Sequence, residues 1–270
     1  MTGALLAGGA AAAAAAAGYG WFEAGWLRTR VREVALERLP RELDGVRIAH
    51  LSDFHLGVPS RGAVAAERAV EWVAERRPDL VCITGDLLSR RRGERRLRGL
   101  LERLGTSYVV LGNHDFAQSR DPFSQPVDLH ELPRAHLLSN SSDVLELRGR
   151  RVQVAGVDPR SYSAGRARAE RLADEEADLR ILLCHFPGVA RTLPAGAFDL
   201  VLAGHMHAGQ IVLPYPGGRL LLAHPRAREA AGVYRYGSTT LHVSPGVGTT
   251  FVPFRFCARP EATELVLRPA

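Results

Sequence analysis

Ser107-Tyr108-Val109-Val110-Leu111-Gly112-Asn113-His114-Asp115 is an apolar run of strand length that ends in a glycine, an amide, an imidazole and a carboxylate. The run reads as a buried strand, and its polar ending falls just past the carboxyl end, where open α/β sheets place their sites. Four other runs end in the same way. Val46–Ser52 leads into Asp53-Phe54-His55, and Leu80–Thr84 into Gly85-Asp86. Leu179–Cys184 leads into His185, and Leu200–Ala203 into Gly204-His205-Met206-His207. One such ending is ordinary turn chemistry. Five in order, each at the same end of its strand, point to a site.

Between these runs the pattern is helical. Gly62–Arg77 carries Val64, Ala66, Val70 and Val73 at helical spacing, and an arginine-rich helix lies within Glu94–Leu104. Val152–Val157 reads as a further buried strand, with shorter strands at Val233–Tyr236, Thr240–Val243 and Glu264–Leu267. Strands that alternate with helices early and cluster late suggest α/β layers rather than a simple doubly wound sheet. No repeat or linker divides the body. The expected organisation is one catalytic domain at 41–270, preceded by a hydrophobic segment and linker at 1–40.

The chain has 270 residues, 46% of them hydrophobic, and 35 basic against 29 acidic side chains give a net charge of +6. That excludes intrinsic disorder. Three cysteines without a CxxC pair exclude a disulfide scaffold, and Cys82, Cys184 and Cys257 are expected as buried thiols. Every basic residue is arginine, whose planar fork grips phosphate oxygens. The net charge is too dilute to indicate specific nucleic-acid binding. From Gly3 to Phe22 there is no charge, and Ala10–Ala17 is all alanine. Tyr19, Trp21, Phe22 and Trp26, followed by Arg28, Arg30 and Arg32, resemble an aromatic belt beside a positive flank. The segment is read as a membrane anchor or membrane-surface helix that leaves the body on the cytoplasmic face, with an export signal peptide and a soluble alanine-rich helix as the alternatives. No motif residue lies in it, so removing Met1–Arg32 is expected to leave the chemistry intact.

The five endings supply Asp53, Asp86, Asn113, His55, His185, His205 and His207, with His114 to spare. Oxygen and imidazole donors without thiolate suit divalent Mn²⁺, Fe²⁺ or Zn²⁺. Seven side chains are too many for one ion but fit two if a carboxylate bridges. Outside this set, His50 is expected to face the core or the surroundings of the site. His130, His136, His224 and His242 lack ligand-spaced partners and are read as surface or structural groups. Arg90, Arg91, Arg92, Arg95, Arg96 and Arg98 read as a solvated helix face.

The ordered set Asp-x-His, Gly-Asp, Gly-Asn-His-Asp, His and Gly-His-x-His resembles the signature of the calcineurin-like metallophosphoesterases. Leu43-Asp44-Gly45-Val46-Arg47-Ile48, Arg77-Pro78-Asp79-Leu80, Gly209-Gln210-Ile211 and Pro260-Glu261 are similar to the small membrane-associated bacterial phosphodiesterases of that superfamily. Met206 and Ala208 depart from the usual Thr and Gly at positions that are not ligands. The resemblance implies a four-layer α-β-β-α sandwich with a dinuclear metal site at the strand C-terminal ends. It implies one ion on Asp53, His55 and His207, another on Asn113, His185 and His205, and Asp86 bridging. It further implies hydrolysis of a P–O bond by metal-activated water, with His114 as general acid or charge stabiliser and Asp115 orienting it or making the turn. The substrate implied is a phosphate ester or pyrophosphate, a lipid-linked one included. The alternatives are a UDP-2,3-diacylglucosamine pyrophosphatase-type hydrolase and a catalytically silent metal-binding scaffold.

Overall fold

The apolar runs form two six-stranded sheets laid face to face in the computed structural model, which describes residues 2–127, 129 and 131–270, with side chains from residue 7 onward. In chain order the elements are α1 (Thr2–Ala24), β1 (Arg28–Leu36), β2 (Arg47–Leu51), α2 (Gly62–Arg76), β3 (Leu80–Thr84), α3 (Glu94–Leu104), β4 (Ser107–Val110) and β5 (Ala135–Leu137). There follow β6 (Ser141–Leu147), β7 (Arg150–Gly156), α4 (Pro159–Ser163), β8 (Leu179–Leu183), β9 (Leu200–Ala203) and the hairpin β10 (Val212–Tyr215) and β11 (Gly218–Leu221). β12 (Gly232–Tyr236), β13 (Thr239–Val243) and β14 (Glu261–Pro269) complete the chain. One sheet runs β1-β14-β2-β3-β4-β5 and the other β12-β13-β9-β8-β7-β6. β2 to β5 are parallel, as are β7, β8, β9 and β13, so their carboxyl ends gather at one edge of the sandwich.

Continuous apolar runs are what strands buried on both faces require. Ile48, Leu80, Val110, Val154, Ile181 and Leu202 fill the space between the sheets. On the outer face of the first sheet, α2 and α3 press Val70, Val73, Leu97 and Leu101 against Leu51, Ile83 and Val109. The second sheet is covered more thinly, by α4 and by 3₁₀ turns at Ala169–Leu172 and Pro187–Arg191, packed around Phe198 and Leu241. The four layers are the expected ones, and the fourth is made of short turns rather than long helices.

The amino-terminal region departs from its reading as a segment and linker. Arg28–Leu36 is a strand, paired in parallel with β14 from Arg28↔Glu261 to Leu36↔Pro269. Val34 and Leu36 are buried in the inter-sheet core, and Arg28 and Arg30 on the same face donate to Glu261 Oε2 at 2.7 and 3.1 Å. The base of α1 is clamped as well. Glu23 is buried and accepts from the backbone N–H groups of Cys257 and Ala258 at 3.0 and 2.7 Å. Arg255 N donates to Gly20 O at 3.0 Å. From Ala7 to Tyr19 the helix is exposed. Its 23 residues reach roughly 35 Å at 1.5 Å per residue, but alanine and glycine are weakly apolar. Among the described residues, no helix is both long and apolar enough to cross a membrane.

This geometry moves the boundary for a harmless truncation. Removing residues 1–18 takes no buried side chain among the described residues, and the thermal midpoint is expected to fall by less than about 2 °C. Removal through Arg32 takes the Glu23 clamp and half of β1. It should cost several kcal/mol, a drop of roughly 10 °C or more for a chain of this size. Equal midpoints for the two truncations would show that β1 and Glu23 contribute nothing to the fold.

Candidate metal centre

All seven side chains read as ligands meet at the edge where β2, β3, β4, β8 and β9 end. Donor atoms of Asp53, His55, Asp86 and His207 lie within 4.8 Å of one another, and those of Asp86, His185 and His205 form a second such group. Asp86 belongs to both. Its Oδ2 is 3.5 Å from His55 Nε2 and 3.2 Å from His185 Nε2. His55 Nε2 and His207 Nε2 stand 3.1 Å apart, and His207 Nε2 is 3.4 Å from Asp53 Oδ1. Asn113 joins the second group, with Oδ1 3.1 Å from His185 Nε2, and His205 Nδ1 is 3.2 Å from the same atom.

The backbone is bent hard to bring them there. Asp53, His55, Asp86, His205 and His207 have φ of 55°, 45°, 53°, 72° and 49°, a left-handed region that costs non-glycine residues about 1 kcal/mol or more each. Glycine is needed beside them for close approach. A Cβ on Gly112 would run into Asp86 Oδ1, and one on Gly204 into Ser52 Oγ and Asp53 Oδ2. The strand-end glycines of the motifs are thus steric requirements of the cluster.

Hydrogen bonds on the far side of each donor fix its aim. His185 Nδ1 lies 2.8 Å from Thr84 O, and His55 Nδ1 lies 3.0 Å from Ser89 Oγ. Asp53 accepts from His205 N at 3.1 Å, and Asp86 Oδ1 from His114 N at 2.8 Å. Sequence reasoning missed Arg255, which is fully buried. It donates to the carbonyls of Gly248, Ala258 and Pro245 at 2.7–3.0 Å, and lies 3.3 Å from His207 Nδ1. The only local signal is a charged residue between Phe254 and Phe256.

Burial and the charges inside the cluster together decide its protonation. Burial pushes His55 and His205 down to about 3 and His207 well below its ordinary value, so these imidazoles are neutral and have lone pairs to offer. Burial alone would raise Asp86, but His185, His114 and His55 around it hold its carboxyl well below the usual range. Burial pushes Asp53 up to about 7. Burial would lower His185, yet the Asp86 carboxylate beside it outweighs that and lifts it to about 9. A cation here must displace the His185 proton below about pH 9 and the Asp53 proton as well below about pH 7. Metal affinity is therefore expected to rise roughly tenfold per pH unit between about 7 and 9, more steeply below, and to level off above. Titration of the chelator-stripped protein across that range checks it, and a flat dependence would contradict this proton count.

His114 stands beside the donors, its ring edge-on to His55 at 4.6 Å. Asp115 does not orient it. Asp115 accepts from Leu88 N and Gly112 N, both at 2.9 Å, and so makes the turn. The carboxylate that faces His114 is Asp121, with Oδ2 3.8 Å from Nδ1. Asp121 is itself fixed by Thr250 Oγ1 at 2.8 Å and Phe251 N at 2.9 Å. No local pattern marked it.

Other expectations also change. His224, read as a surface or structural group, stands beside the site, its ring 5.5 Å from that of His205. His242 has a partner: its Nδ1 lies 2.7 Å from that of His50, in a buried pair between the sheets. His136 sits 3.0 Å from Asp143, and His130 lies outside the described residues. Cys82 and Cys184 are buried as expected, whereas Cys257 is exposed. In the arginine cluster, Arg90 donates to Phe123 O, Arg96 pairs with Glu67, and Arg98 pairs with Glu94.

A family model described as Calcineurin-like phosphoesterase matches residues 46–209, more than half of the chain and every donor of the cluster. The chain belongs to that family. By class this calcineurin-like phosphoesterase is a metal-dependent phosphoric ester hydrolase, and its Asp/His cluster offers the donors for a divalent metal. It is 33% identical over 258 residues to a "Transmembrane protein with metallophosphoesterase domain" of Danio rerio, covering 88% of this chain and 56% of that protein. It thus spans about half the length of that relative. It is 28% identical to the "Uncharacterized metallophosphoesterase YkuE" of Bacillus subtilis, covering 99% of this chain and 93% of the relative. Among solved structures, a phosphatase from Mycoplasma pneumoniae is 12% identical over 76% of this chain and 73% of its own, with a TM-score of 0.43.

Proposed function

We propose that this phosphoesterase is a phosphodiesterase that holds two divalent ions, Mn²⁺, Fe²⁺ or Zn²⁺, and works at a membrane surface. The reading is carried by the two donor groups that share Asp86. Asp53, His55 and His207 would hold one ion, Asn113, His185 and His205 the other, and Asp86 both. The donor set fits, since it offers oxygen and imidazole and no available thiolate. Cys184, next in sequence to His185, is a buried thiol pushed up to about 12. Bound there, the ions supply Lewis acidity toward the phosphoryl oxygens and the attacking water. His114 donates a proton to the departing oxygen, with Asp121 Oδ2 3.8 Å from its Nδ1 and Thr250 Oγ1 3.5 Å from its Nε2.

The exposed, uncharged stretch of α1 from Ala7 to Tyr19, with Trp21, Phe22 and Trp26 exposed just beyond it, favours attachment to the bilayer surface, on the cytoplasmic side. The names of the Danio rerio and Bos taurus relatives, each a "Transmembrane protein with metallophosphoesterase domain", agree with a membrane setting. A lipid-linked pyrophosphate is the second reading. A largely apolar cavity of about 340 Å³ beside the His114 turn, lined by Leu111, Phe116, Leu137 and Leu138 together with Ser139, Asp158 and Arg160, suits an acyl chain.

The test is turnover by the metal-reconstituted chain on bis-p-nitrophenyl phosphate, p-nitrophenyl phosphate, a cyclic nucleotide and UDP-2,3-diacylglucosamine. The diester is expected to be cleaved fastest. Preference for the UDP-lipid would select the second reading, and two bound ions with no turnover on any of the four would leave a silent scaffold. Fractionation that finds the full chain wholly soluble would remove the membrane surface from the proposal.

A further inference from the structure

A second polar cavity, of about 430 Å³, lies between the base of α1, the amino-terminal half of β1 and the loops that follow β9 and β13. Arg28, Arg30, Arg32, Arg219 and Arg259 line it, against the two carboxylates Glu23 and Glu261. None of the seven metal-site donors does. The first three arginines alternate along β1, on the face that continues into Val34 and Leu36 of the inter-sheet core. This face thus turns from apolar to cationic where the sheets open.

Both carboxylates are already used. Glu23 takes the N–H groups of Cys257 and Ala258. Glu261 takes the Nε of Arg28 and Arg30 and the hydroxyl of Thr263. Five guanidinium charges against two carboxylates leave a surplus of three positive charges. The guanidinium groups keep donors in reserve. Among the described residues Arg28 and Arg30 pair only through Nε, so their terminal nitrogens are left over. Arg219 spends one terminal nitrogen on Cys257 O. Arg259 is braced from behind by Trp26 O and Leu27 O, with its guanidinium carbon 3.8 Å from the Trp26 ring centre. Arg32 Nε is buried and has no hydrogen-bond partner among the described residues. The Arg32 guanidinium is tied down by no hydrogen bond or ion pair among the described residues, so its terminal nitrogens are open to an oxyanion in the cavity. Planar forks aimed at one cavity match the tetrahedral oxygens of phosphate better than a single carboxylate.

We propose that this cavity binds a phosphate group, separately from the metal centre, through Arg32 and Arg219 with Arg28, Arg30 and Arg259 around them. The site does not depend on the diesterase reading. Its ligand is a phosphate ester anion, carried either by a lipid headgroup at the foot of α1 or by a soluble molecule.

The test compares the full-length, metal-loaded chain with Arg32→Gln/Arg219→Gln, which leaves the Arg28–Arg30–Glu261 cluster in place. Calorimetric titration with inorganic phosphate should show one more binding site in the parent than in the variant. Co-sedimentation with phosphatidylcholine vesicles, with and without phosphatidylglycerol, then separates the sources. A fall of about tenfold or more in the variant's binding to the anionic vesicles assigns a lipid headgroup. A loss of phosphate binding with equal vesicle binding assigns a soluble phosphate ester. Equal phosphate binding and equal vesicle binding by the two proteins would overturn the site. If the double variant unfolds, Arg219→Gln alone, on the outlying hairpin, answers the same question through its phosphate affinity.

Discussion

Asp86→Ala is expected to abolish hydrolysis and to lower the metal content by more than one ion per chain. The size of the effect follows from position. Among the described residues no other side chain belongs to both donor groups, and Asp86 Oδ2 lies within 3.5 Å of a histidine from each. Its Oδ1 meanwhile accepts from His114 N at 2.8 Å, so the same carboxylate braces the turn that presents Asn113 and His114. Alanine removes the charge, the ligand oxygens and the brace together. Asp86→Asn separates these roles, because the amide oxygen can still accept from His114 N while the negative charge is gone. The Asn variant should keep the parent's thermal midpoint without metal and still lose most of its bound ion. Elemental analysis on both variants decides the matter. Two ions retained in Asp86→Ala would take Asp86 out of the bridging position.

The site was legible in the sequence to the extent that it was written into strand ends. Parallel strands buried on both faces are continuous apolar runs, so β2, β3, β8 and β9 could be placed within a residue or two, and their polar endings followed. β1 was illegible for the opposite reason. It is an edge strand of sequence Arg-Thr-Arg-Val-Arg-Glu-Val-Ala-Leu, charged at alternate positions, which read as a flank to a membrane segment. Its partner β14 lies more than 230 residues away, and no local pattern announces that pairing. Asp121, Arg255 and the His50–His242 pair escaped in the same way. Each acquires its role from a residue brought to it by the layering of the sheets, such as Thr250 against Asp121 and His207 against Arg255. Motifs report what one loop holds, whereas the supports behind them belong to the fold.

That distinction sets the expected behaviour of His114. It stands outside both donor groups, so His114→Ala should keep its metals while losing roughly 10²–10⁴-fold in turnover, the usual range for a general acid. The loss should be smaller on a p-nitrophenyl ester than on an alkyl ester, because p-nitrophenolate departs with little need of a proton. Equal losses on the two esters would make His114 a stabiliser of phosphoryl charge rather than a proton donor. Asp121 reaches the reaction only through this ring, from 3.8 Å at Nδ1 and through Thr250 Oγ1, which is 3.5 Å from Nε2. Asp121→Asn should therefore lose less, about tenfold, and should do so only while His114 is present. The double variant His114→Ala/Asp121→Asn is expected to turn over no more slowly than His114→Ala alone, since groups that act as one unit are not additive. A further loss in the double variant would give Asp121 a contact of its own with substrate, and loss of metal in His114→Ala would make the imidazole a ligand.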